Sequence, residues 1–250
     1  MKVSLIPIDT QVLGGAVLSV DEFDAGADFA AFENAYVRDH NPVYVSCKLS
    51  MDRIADAHGL EAAGFRLIEC QIRSAINLNA RVELPSLPYR FERITREEDL
   101  APVLDIAARS FTHDRFSMDP LVPRGLSGER YRRYLRQSFE SSTDAVFRLY
   151  DPASGVPVAF KSHRHLPGGE ALLLLGGVDP QHQRLGLGAL NTLAEIDELK
   201  KRGVRRGITH ISAANHQVFN LEFGKLGFKA LETFAVLRKV YRAIRVPETA

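Results

Sequence analysis

Residues 176–190, GGVDPQHQRLGLGAL, restrict the fold more than any other part of the chain. An apolar run over 171–178 leads in and a helical pattern follows, so a strand hands over to a helix at this point. Gly186 and Gly188 let consecutive backbone N–H groups turn into one concavity at the positive end of the coming helix. Such a cradle favours a diphosphate, and a side chain at either glycine would block its approach. A bare Gly-x-Gly also occurs as a merely flexible helix start, so the flanks have to decide. The nucleotide folds with similar loops fall away: Asn191 stands where a third glycine of a dinucleotide fingerprint belongs, and no Gly-Lys-Ser/Thr follows.

Around this stretch, strands and helices alternate. The sequence predicts a helix over 95–111, with Thr95 and Glu98 as a capping box, and a second over 127–141. Three strands follow, divided by the turns Pro-Ala-Ser-Gly and Pro-Gly-Gly. A helix over 189–202 stopped by Gly203, a strand over 205–213, a helix ending at Gly227 and one or two closing strands complete the order. Pro85 and Pro88 mark a boundary, giving an α/β domain over 1–90 and a second over 91–250. Within the first, EAAGFRLIEC echoes GKLGFKALET, with Glu69 and Glu232 in equivalent places. No glycine-rich stretch precedes the first copy, so it reads either as a half-domain kept for packing or as chance.

Bulk properties leave the partner small and local. Lys and Arg number 32 against 31 Asp and Glu, so no global field draws in nucleic acid. Cys47 and Cys70 form no disulfide framework and no metal motif, which fits a reducing cytoplasm. The apolar run at 171–178 is too short to cross a bilayer, and the N-terminus lacks a signal-peptide core.

Val178, Pro180, Gln183, Gly186 and Gly188 resemble the acyl-CoA signature of the GNAT acetyltransferase superfamily, Val-x-Pro-x-x-Gln/Arg-x-x-Gly-x-Gly/Ala. NHQVFNLEFGKLGF resembles the family's closing Asn…Leu-Gly-Phe segment, and the likeness covers about residues 93–241. It implies a GNAT fold: a central mixed, twisted sheet flanked by helices, here with an N-terminal half-GNAT-like α/β domain. It implies acetyl-CoA as cofactor, its diphosphate held by the amides of Gln183, Arg184, Leu185, Gly186, Leu187, Gly188 and Ala189. Asn215 would bind the pantetheine arm, and the Val178 N–H would polarise the thioester carbonyl. LEAAGFRLIECQIRSAI, ARSFTHDRFSMDPLVP and GERYRRYLRQSFES further resemble the TDP-fucosamine acetyltransferase group, which acetylates nucleotide-linked amino sugars. Other small amines, or acyl-CoA binding without catalysis, remain the alternatives.

Direct attack by an amine needs a neutral nitrogen near the thioester, donors for the developing oxyanion and a proton for the departing thiolate. The family often assigns that proton to a tyrosine four residues before the glycine of Leu-Gly-Phe. Phe223 stands there, able to pack on the acyl group but not to donate. One surplus residue between Asn215 and Gly227 brings Glu222 into contention, either as a proton carrier or as a solvated carboxylate. His216 and His163, the latter sharing a strand face with His165, are the other titratable candidates. For the acceptor, the polar loop and the helix after it offer His113, Arg115, Phe116, Asp119 and Tyr134, with Arg115 as a clamp and Phe116 as a stacking ring. The final strand either pairs across a homodimer or lies inside the sheet. No metal is expected.

Overall fold

The computed structural model describes residues 1–24, 26–78, 88–183 and 186–244. Arg184, Leu185 and segment 79–87 with Pro85 lie outside the described residues. The first half runs β1 (Lys2–Leu5), α1 (Pro7–Leu13), β2 (Val17–Glu22), α2 (Phe29–His40), β3 (Tyr44–Ser50), α3 (Ile54–Ala62) and β4 (Arg66–Asn77). After residue 88 come β5 (Arg90–Arg93), α4 (Glu97–Ser110), α5 (Arg115–Met118), α6 (Leu126–Glu140), β6 (Asp144–Tyr150), β7 (Pro157–Leu166) and β8 (Glu170–Val178). A 3-10 turn, Pro180–His182, leads to α7 (Leu187–Lys201), β9 (Arg206–Ser212), α8 (His216–Leu221), a π turn (Glu222–Leu226) and β10 (Lys229–Val240).

Among the described residues these strands form one mixed sheet in the order β1-β2-β3-β10-β4-β9-β8-β7-β6-β5. The closing segment is therefore a single strand lying inside the sheet. Both its edges are hydrogen-bonded, to β3 and β4, which leaves it nothing to pair with across a dimer.

This order exposes an internal repeat. Both β2-α2-β3-α3-β4 and β8-α7-β9-α8-β10 begin with a parallel strand pair joined by a helix. Each half gives its last strand to the other, since β10 pairs with β3 while β4 pairs with β9. The β4–β10 ladder is symmetric under the echo noted in the sequence: Glu69 faces Val236, and their images Glu232 and Arg73 face each other. Gly64 and Gly227 open the two strands at φ +90 and +80, which a β-carbon would resist. Phe65 and Phe228 follow them, both buried.

Helices cover both faces. Leu100, Val103, Leu104 and Ala107 of α4 pack on Val146 and Phe160, while Ile196 and Leu199 of α7 pack on Ile76, Leu173 and Phe228 on the opposite face. The capping box expected at Thr95 does not form. Arg96 takes the N-cap position without a side-chain cap, and its guanidinium instead pairs with Glu98 at 2.7 Å and Asp99 at 2.9 Å. Glu97, Glu98 and Asp99 in the first turn complement the helix dipole.

A polar seam ties α1 to the helices of the second half. Asp9, fully buried, accepts from Arg115 at 2.8 Å, Arg130 at 2.8 Å and Tyr134 at 3.1 Å. Burial pushes the Asp9 carboxyl up, but Arg130 and Arg115 outweigh it and hold the group below its ordinary value.

Candidate active site

The parallel ladder between β8 and β9 joins only Glu170–Arg206, Ala171–Gly207 and Leu172–Ile208. Beyond it β8 runs on to Val178 and β9 to Ser212, so the two strands splay apart. Thr209 closes the narrow end by donating to the Leu173 carbonyl at 3.2 Å. The shift in register between Ser162 and His163 turns β8 at this point, as bulges do.

Two glycines on β8 serve close packing. A β-carbon at Gly177 would stand 2.6 Å from Ser110 Oγ, and one at Gly176 would stand 2.7 Å from Lys161 Cδ. The Asp179 N–H turns to β7 and bonds the Val158 carbonyl at 2.8 Å, so strand alternation aims the Val178 N–H the other way, at the splay.

At the wide end, α7 starts with Gly186 in the N-cap position at φ 75 and no side chain capping it. The Ala189 N–H turns back to the Gly186 carbonyl at 3.1 Å, so among the described residues it is the Leu187 and Gly188 N–H groups that lie ahead of the first helical bond, where a helix end can take an anion. A β-carbon at Gly186 would meet nothing within 4 Å, and one at Gly188 only Leu221 at 3.9 Å. The space that these glycines leave is open, as a diphosphate cradle requires. Leu187 is buried, Ala189 is half-buried and Gln183 is exposed at the rim. Asn215 caps α8 by accepting from the Val218 N–H at 3.2 Å.

The surplus residue between Asn215 and Gly227 is absorbed by the π turn. That widened turn carries Glu222 inward, 7% exposed, where Ser74 Oγ donates to Oε2 at 3.2 Å. Burial pushes its carboxyl up to about 7, Lys161 and Ser74 pull back, and Glu195 adds to the push. Phe223 points to the core with Leu226, its ring 4.7 Å from Phe219.

Lys161 and Glu195, which no motif marks, complete this cluster. The ammonium lies across Gly176 and 3.3 Å from Glu195 Oε2, and Glu195 is fully buried. His163, also fully buried, sits with Nδ1 3.3 Å from Glu195 Oε1 and its ring on Phe147, beneath α7. His165 and His216 are exposed.

Four of the five acceptor candidates are engaged by partners within the chain. Phe116 is 2% exposed, packed edge-on against Tyr44 at 5.5 Å. Asp119 is held by Arg238 at 2.5 and 2.9 Å. Arg115 and Tyr134 both bind Asp9, and only His113 is exposed. No group of three or more metal-ligating side chains occurs among the described residues, and no helix there is long and apolar enough to cross a membrane.

No protein-family model matches the chain, and no curated protein matches it. Solved structures do. A GCN5-related N-acetyltransferase from Sphaerobacter thermophilus is similar at 14% identity and TM-score 0.68, over 95% of this chain and 76% of that one. A tandem GNAT protein from the clavulanic acid biosynthesis pathway is similar at 16% identity and TM-score 0.64, over 91% and 76%. A GCN5-related N-acetyltransferase from Kribbella flavida gives 16% identity and TM-score 0.60, over 90% and 81%. At such identities the likeness is one of architecture: the chain has the GNAT fold.

Proposed function

We propose that this chain is an acetyl-CoA-dependent N-acetyltransferase, working in the cytoplasm on the primary amine of a nucleotide-linked deoxy-amino sugar. One observation carries the cofactor: an uncapped helix N-terminus with two space-leaving glycines stands at the mouth of a splayed parallel strand pair. The residues fit a coenzyme A diphosphate at the α7 amides, with Gln183 at the rim and Asn215 beside the splay. The acceptor rests on the resemblance of segments 60–76, 108–123 and 128–141 to enzymes of that substrate class.

Acetyl-CoA, when bound, supplies an acyl thioester. The Val178 N–H faces the splay and would stabilise negative charge on the acyl oxygen. Ser74 occupies Glu222 Oε2, so the proton of the neutral carboxyl rests on Oε1, where it would be available to a departing thiolate. Glu222 thereby takes the part that Phe223 cannot play. Lys161 and Glu195 set how tightly that proton is held, and a value near 7 populates both forms at neutral pH.

Calorimetry with coenzyme A tests the cradle, and thiol release with a panel of amines tests the transfer. Turnover of a nucleotide-linked amino sugar that falls when the nucleotide is removed supports the acceptor. Turnover that ignores the nucleotide, or prefers a polyamine, overturns it.

A further inference from the structure

On the face of the sheet away from α7, the register places side chains from both halves in three rows. Lys48, Val236 and Glu69 form one; Ser50, Phe234, Gln71 and Ser212 the next; Glu232, Arg73 and His210 the third. Ser212 ends β9, so the floor made by these rows borders one arm of the splay.

The charges on this floor are incompletely matched. Glu69 is 6% exposed, yet its hydrogen bond comes from the neutral Gln71 amide at 2.9 Å, and it makes no ion pair among the described residues. Burial pushes its carboxyl up, while Gln71, the nearby Arg115 guanidinium and Ser212 pull it back; a cationic ligand group would add to that support. Ser212 Oγ is buried beside Glu69. On the opposite side Lys48 Nζ lies 4.1 Å from the centre of the Phe234 ring, and Arg73 reaches Glu232 only at 3.9 Å. Both cations thus keep donors free for an anion.

Lys48 and His210 are solvent-accessible, but desolvation lowers the lysine and lowers the histidine to about 4. α5 packs against β4, and Arg115 and Asp114 at its start lie close enough to act on Glu69, so this helix walls the floor on one side.

We infer that this floor is the acceptor site, and that it takes an amine bearing a negative group: the ammonium at Glu69 beside the splay, the anion at Lys48 and Arg73. The inference rests on the acetyltransferase reading, since it is the splay that gives the ammonium a destination. It also gives the first half of the chain a part in the chemistry. Glu69 accepts one proton from the ammonium, the freed nitrogen forms its bond to the acyl carbon as the carbon–sulfur bond breaks, and the sulfur takes its proton from Glu222 on the other face. The new amide nitrogen releases its remaining extra proton to water.

The test is calorimetry on protein saturated with coenzyme A, which fills the α7 cradle beforehand. The probes are benzylamine, para-aminomethylbenzoate, which differs by one carboxylate, and a nucleotide-linked amino-deoxysugar, whose anion is a diphosphate. The anionic amines are expected to bind about tenfold more tightly than benzylamine. The joint change Lys48→Ala and Arg73→Ala should abolish that preference, and the isosteric Glu69→Gln should weaken all three about tenfold. Coenzyme A affinity and melting temperature should stay unchanged in both. The tighter of the two anionic probes identifies carboxylate or phosphate as the natural anion. Equal affinities in the unaltered protein, or a preference that survives loss of Lys48 and Arg73, overturns the inference. A protein that never binds coenzyme A overturns the acetyltransferase reading instead.

Discussion

The two copies of the strand–helix–strand unit differ where a ligand would enter. In the second, α7 begins on Gly186 with no side-chain cap, and β8 and β9 splay beside it. In the first, α2 begins on Asp28, whose own carboxylate accepts from the Ala31 N–H at 3.0 Å. A carboxylate there satisfies the amide and repels a phosphate. The mouth between β2 and β3 is also tied across, because Arg53 Nη2 donates to the Phe23 carbonyl at 2.6 Å. The same architecture makes a cradle in one half and a closed end in the other. A cap and an arginine decide between them, and the backbone topology does not.

The largest expected effect breaks the partnership of the halves. Asp9→Ala leaves Arg130 buried without its carboxylate, which should cost about 3–5 kcal/mol, read by urea unfolding. Next comes the cradle: Gly188→Asp gives α7 the negative charge that α2 already carries. Affinity for coenzyme A should fall about a hundredfold, roughly 2.7 kcal/mol. Third, Glu222→Gln should lower kcat on the order of a hundredfold. The unaltered enzyme should lose activity as pH rises through about 7, because the donor is the protonated form, and the variant should lack that limb. Smaller shifts discriminate further. Lys161→Met removes an attraction for the ionised form and moves the limb to higher pH, whereas Glu195→Gln removes a repulsion and moves it lower. A merely structural pair would not move the limb in opposite directions. The smallest effect is Arg53→Ala, expected to cost about 1 kcal/mol without creating a second coenzyme site, since Asp28 still occupies the α2 terminus.

Local features were legible in the sequence. The glycine-rich stretch, the stripe of α4 and the Gly-Phe echo all follow from periodicity and backbone preference within a few residues. The exchange of β4 and β10 was not, because strand order is fixed by pairing between residues far apart in the chain. Loop composition suggested that Arg115, Phe116 and Asp119 face a ligand, whereas in the fold Asp9, Tyr44 and Arg238 engage them. Composition cannot tell a polar seam between halves from a polar cleft. The surplus residue before Gly227 was visible, and the π turn explains which side chain it delivers. Lys161 and Glu195 meet only through the packing of α7 on β7, so no spacing could announce them.

Titration of the intact chain with coenzyme A in a calorimeter tests the central claim most directly. The account predicts one site per chain, removed by Gly188→Asp and unaffected by replacing Asp28 with serine. Absence of heat, or two equivalent sites, would contradict it.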